Sequence, residues 1–135
     1  MSATTSNSVF SFEVWVRDRH YFRRVINART AAKAKADYLL DLKDAGYGYT
    51  FTDLRVRKIG QPHTSDEFRR NAAYRGMPDL ECGQRVIVGE GRGVIVGHNS
   101  SANFDVLFDD DCKNYAGMTL NVHPGEIKLE LAAVK

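Results

Sequence analysis

The segment "VFSFEVWVR" alternates strictly: Phe10, Phe12, Val14 and Val16 share one face, and Ser11, Glu13, Trp15 and Arg17 share the other. A period of two is that of a half-buried strand. After a turn at "DRH", "YFRRVINA" predicts a return strand with Phe22, Ile26 and Ala28 inward and Tyr21, Arg23 and Asn27 outward, completing a hairpin. Thr30 is placed to cap a helix over "AAKAKADYLLDLKDAG", with Ala32, Ala36, Leu39 and Leu40 on one face and Lys33, Asp37, Asp41 and Asp44 elsewhere. Gly46 stands where a terminating glycine belongs. In "TFTDLRVRKI", Leu54 and Val56 point inward and Arg55 and Arg57 outward. Residues 9–60 thus predict a ββαβ unit, one helix over the apolar face of a three-stranded sheet, preceded by a Ser/Thr-rich tail at 1–8.

"QPH" breaks the pattern, and Thr64 with Glu67 has the spacing of a capping box for a short helix over "SDEFRRNAAYRG", closed by Gly76 and Pro78. Residues 61–81 predict a linker carrying that helix, whose Phe68 and Ala72 can pack on either neighbour. From residue 82 the pattern returns to short strands, "VIV", "GVIVG", "NFDVLFDD" and "TLNVH", with Phe104, Val106 and Phe108 alternating against Asp105, Leu107 and Asp109. Between the first two lies "GEGRG". A dinucleotide loop needs G-x-G-x-x-G and then a helix whose N–H groups face the phosphates. Here the third glycine, Gly93, comes one position early and another β-branched run follows, so the segment predicts a hairpin.

The order "CGQRVIVGEGRGVIVG…FDVLFDDD…LNVHPGEI", over residues 82–130, resembles the SH3-like barrels of the KOW and Tudor kind. In these a G-x-x-V-x-V entry strand precedes a G-x-V strand, and a short turn containing proline and Glu-Ile closes the domain. The resemblance implies a small barrel, followed here by a short tail at 131–135. The chain as a whole, with "RVRKIG" followed by "TSDEFRRNAAYRGMP", is similar to small proteins of tailed bacteriophages and prophages. The expected class is α+β: an N-terminal ββαβ unit plus a C-terminal SH3-like β-barrel.

Composition bounds this picture without redrawing it. A chain of 135 residues, 43% hydrophobic, can bury one small core or two. No run approaches the roughly 20 apolar residues of a membrane span, and "MSATTSNS" lacks the features of a secretory signal, so a cytoplasmic protein is expected. Cys82 and Cys112, 30 positions apart with no C-x-x-C, predict two thiols and not a disulfide framework. Residues 1–82 hold 14 Lys and Arg against 10 Asp and Glu, whereas 83–135 hold 5 against 7.

The basic half carries the leading candidate site. Trp15, Arg17, Tyr21, Arg23, Arg55 and Arg57 are expected on the open face of the first sheet, where aromatic rings and arginines together can stack bases and neutralise phosphates. The same residues also suit an ordinary polar outer face, with Trp15 plugging a junction. Arg69 and Arg70, with Arg75, could extend that surface, and His98 and Asn99, with Ser100, Ser101 and Asn103, could line a barrel rim or simply make a turn. Asp109, Asp110 and Asp111 suit either a hard cation or a solvated acidic turn. Cys82, His98, Cys112 and His123 are zinc-capable, but their separations of 16, 14 and 11 match no paired-ligand spacing, so no metal and no cofactor is expected. With no G-x-S-x-G and no H-E-x-x-H, the chain is expected to act by binding and not as an enzyme. The expected partner is nucleic acid or a nucleoprotein. The alternatives are a host protein complex bound by a phage-encoded inhibitor or adaptor of anti-CRISPR type, or a small metal-dependent enzyme using the aspartate run. No membrane partner is expected, and an exposed strand edge offers a route to a homodimer.

Overall fold

The computed structural model describes residues 8–130, without the side chain of His20. Most of the N-terminal tail and all of the C-terminal one lie outside these residues. The described chain is mixed α and β, with two α-helices and eight strands in two sheets. It divides into compact units at residues 8–63 and 64–130.

The first unit comprises β1 (Phe10–Val16), β2 (Arg19–Ala28), α1 (Ala31–Asp44), a 3-10 turn (Phe51–Asp53) and β3 (Leu54–Gly60). The strand order is β2-β1-β3, antiparallel throughout, so β1 is central and its inward Phe12, Val14 and Val16 are buried. The hairpin turn is Arg17–Asp18, one position before the expected "DRH"; Arg19 already pairs with Val16. Between the pairs Val14↔Arg24 and Val16↔Arg19, β2 spends four residues where β1 spends one. This bulge puts Arg24 on the helix side, where it meets Asp41 at 2.9 Å, and leaves Arg23 on the open side. The Tyr38 hydroxyl of α1 donates a hydrogen bond to the Phe22 carbonyl within the bulge.

The stripe that α1 buries differs from the expected one. Ala34, Tyr38 and Leu42 are in the core, while Leu40 is 60% exposed. A 4-4 spacing centred on the largest ring covers the sheet better than the adjacent Leu39–Leu40 pair, which straddles the stripe's edge. Thr30 caps the helix by accepting from Lys33 N. Gly46, at φ +93°, closes it in a Schellman turn in which Gly46 N donates to Lys43 O and Tyr47 N to Leu42 O.

The second unit comprises α2 (Asp66–Tyr74), β4 (Arg85–Val88), β5 (Gly91–His98), β6 (Phe104–Phe108), β7 (Thr119–Val122), a 3-10 turn (Pro124–Glu126) and β8 (Ile127–Leu129). Its sheet runs β7-β6-β5-β4-β8, again antiparallel. The glycine run is a hairpin: Gly89–Glu90 link the paired Val88 and Gly91, and Gly89 sits at φ +60°, where a side chain would be strained. The helix is no linker. Phe68 and Ala72 are buried with Leu80, Val86, Ile95, Phe104, Val106 and Phe108 in one cluster. Its N-cap is Ser65, which accepts from Phe68 N; Thr64 instead accepts from Cys82 N, tying the chain before the helix to the entry of the sheet. Leu107 and Asp109, expected outside, are also buried. Asp109 is there because both its carboxylate oxygens accept hydrogen bonds from Arg85.

Candidate arginine-aromatic surface of the first unit

On the open face of the first sheet the register sets Glu13 beside Arg57 and Trp15 beside Arg55. Glu13 is the hub. Its Oε1 lies 2.5 Å from Arg57 Nη2 and its Oε2 lies 2.8 Å from Arg23 Nη1. These two guanidinium hydrogen bonds, Arg23 first and Arg57 second, hold the Glu13 carboxyl below its ordinary value of 4.5. The Arg23 guanidinium carbon also stands 4.7 Å from the centre of the Trp15 ring, a cation–π arrangement over a partly exposed indole. Arg55 Nη1 donates to the backbone carbonyls of Thr52 and Leu54, each at 3.0 Å, so no carboxylate offsets its charge in these contacts.

Four of the six expected residues, Trp15, Arg23, Arg55 and Arg57, thus share one surface. The other two lie elsewhere. Arg17 belongs to the hairpin turn, and Tyr21 lies against Phe22, ring centres 4.8 Å apart, in a second aromatic group. That group continues from Phe22 to Tyr47 (5.1 Å) and Tyr49 (6.0 Å). Arg19 Nη1 donates to the Tyr21 hydroxyl at 2.9 Å. Beside it is a cleft of about 370 Å³ lined by Val16, Arg17, Asp18, Arg19, Tyr49 and Asp53. Tyr47 and Tyr49 are not among the expected site residues; their signal in the sequence is "YGY", two rings two positions apart between a terminating glycine and the next strand.

The secondary residues serve the second unit internally. Arg69 approaches Glu81 at 3.8 Å, while Arg70 is exposed on α2. His98 Nδ1 and Asn71 are hydrogen-bonded at 2.8 Å, and Arg75 donates to the carbonyls of Ser101 and Ala102. Asn99 Oδ1 accepts from Ser101 N and Asn103 N, which is turn chemistry. Asp109 is committed to Arg85 while Asp110 and Asp111 are exposed, so the aspartate run does not converge. Among the described residues no group of three or more His, Cys, Asp or Glu is arranged to hold a metal ion. A wider cleft of about 600 Å³ lies in the second unit between the Gly89–Gly91 turn and Cys112–Tyr115; Glu90 and Glu126 there balance Lys113 and Lys128.

The unit boundary sharpens the charge picture. Residues 8–63 hold eleven Lys and Arg against six Asp and Glu, a net +5; residues 64–130 hold seven against eleven, a net −4. Within the first unit α1 carries three of each sign, so the whole excess lies on the sheet and its turns. No helix among the described residues is long and apolar enough to cross a membrane. Compared with protein-family models, curated proteins and solved structures, the chain matches none.

Proposed function

We propose that this is a non-enzymatic binding protein that engages nucleic acid, free or within a nucleoprotein, through the open sheet face of its first unit. The observation that carries the reading is the cluster on the open face, where Trp15 stands with the arginines 23, 55 and 57 against the single carboxylate of Glu13, in a unit of net charge +5. Phosphates are bound by such clusters, and a partly exposed indole offers a stacking face. The second unit is read as an SH3-like barrel. Its strand order β7-β6-β5-β4-β8, with a 3-10 turn before the last strand, supports that reading.

One observation favours a second reading, docking on a host protein complex as a phage-encoded inhibitor would. Glu13 already offsets Arg23 and Arg57, and exposed Val25 pairs with Glu13 on the neighbouring strand, a mixture that also suits a protein interface.

Trp15 is the single tryptophan, so its emission reports on the surface directly. Titration with single- and double-stranded oligonucleotides should quench it, less so as salt rises. Arg55→Ala and Arg57→Ala should each weaken binding and flatten the salt dependence by about one phosphate contact. Emission that no oligonucleotide alters would turn the search to protein partners.

A further inference from the structure

We infer that the tip of the first unit, where the Arg17–Asp18 turn meets the connection from α1 to β3, is a second binding site, built to stack unpaired bases. This rests on the nucleic-acid reading above and adds to it the form of the ligand: single-stranded.

Three features of the tip point there. First, its rings are displayed and not packed away: Tyr21 is 75% exposed and Tyr47 44% exposed, both leaning on the half-buried Phe22. Tyr47 and Tyr49 lie nearly parallel, 20° apart with centres at 5.8 Å. Second, the backbone fixes them. Tyr47 is the residue whose N–H closes the Schellman turn onto Leu42 O, and the bulge that presents Tyr21 is pinned by the Tyr38 hydroxyl on Phe22 O. Prearranged rings lose little freedom on binding. Third, cationic groups border them. Arg17 and Arg19 line the adjacent cleft. Asp18 and Asp53 line the same cleft, and the Asp53 carboxylate, accepting from Thr50 N at 2.8 Å and Thr50 Oγ1 at 3.1 Å, stays ionised with its pKa below the ordinary 3.8, so the tip offers guanidinium donors without a net positive charge.

Exposed ring faces beside guanidinium groups match a base next to its phosphate. A duplex keeps its base faces stacked internally and cannot offer them to the tyrosines, whereas a single strand can. On the sheet face the arginines meet the phosphates of either form, and only the single indole of Trp15 offers a stacking surface there. The two sites therefore divide the work: arginines 23, 55 and 57 bind either form, and the tip selects the unpaired one.

The test compares the affinity of the full chain for oligo-dT with that for a duplex of equal length, in wild type, Y21A/Y47A and Y21F/Y47F. The alanine pair should lose about tenfold or more for oligo-dT, at the scale of one or two lost base stacks, and under about twofold for the duplex. The phenylalanine pair keeps the rings and should bind like wild type. If wild type binds but the alanine pair binds both forms equally well, the inference fails while the sheet-face reading stands. Equal losses for both forms would mean that the tip meets phosphates only, which also overturns it. Wild type that binds neither form would overturn both readings, and a lowered thermal midpoint for the alanine pair would then mark the rings as structural.

Discussion

Glu13 is the residue on which the proposed surface turns. A lone acid in the middle of a basic sheet weakens attraction for a polyanion, yet it also fixes two long, entropically costly side chains in place, one of them over Trp15. Because its carboxyl titrates lower in the folded chain than in the unfolded one, the unfolded chain takes up the proton first as pH falls. The stabilisation is therefore complete above the ordinary value of 4.5 and is lost progressively below it. Thermal midpoints measured from neutral pH downward should show an acid limb that Glu13→Gln flattens, while the same substitution strengthens oligonucleotide binding at low salt. An unchanged limb would assign the acid sensitivity to other carboxylates, with Asp53 the next in line. Glu13 could be placed on the Trp15 face from the alternation alone. Its pairing with Arg57 could not, because strand register is a long-range property, and its pairing with Arg23 depends on a bulge that no local pattern announces.

At the scale of elements, what was legible was whatever local sequence decides: the alternation of β1, the Thr30 cap, the Gly46 stop and the Gly89–Glu90 hairpin. What was not legible was which partner an apolar face finds. The stripe of α1 slid to Tyr38 because packing against the sheet selected it over Leu40. Likewise α2 offers only Phe68 and Ala72 as a seam, too little to say which core it joins. In the structure that core is the sheet of β4 to β8, and Phe68, 1% exposed, sits against Phe104 with ring centres 5.2 Å apart. Phe68→Ala should therefore destabilise the second unit by about 3–5 kcal/mol, read as faster amide exchange in β5 and β6. A helix that merely connected would give a change below about 1 kcal/mol, since exposed substitutions usually do.

At the scale of the whole molecule, a formal charge of +2, to which Lys135 outside the described residues contributes one, conceals a basic unit of +5 followed by an acidic one of −4. The sequence halves show the asymmetry only faintly, because a division at residue 82 assigns α2 and its flanks, with three arginines and four acids, to the wrong side. Once the boundary follows the cores, each unit has a distinct electrostatic character, and a polyanion should be attracted by one and repelled by the other. Hydrogen exchange of the full chain with and without a bound oligonucleotide of about 12 residues, within the span one small module covers, gives the discriminating map. Protection is expected across β1, the β2 bulge, β3 and the Tyr47–Tyr49 connection, with β4 to β8 unchanged. Protection around Arg69, Arg70, His98 and Asn99 instead would mean that local arginine chemistry prevails over the net field of the second unit, and the sheet-face assignment would fall.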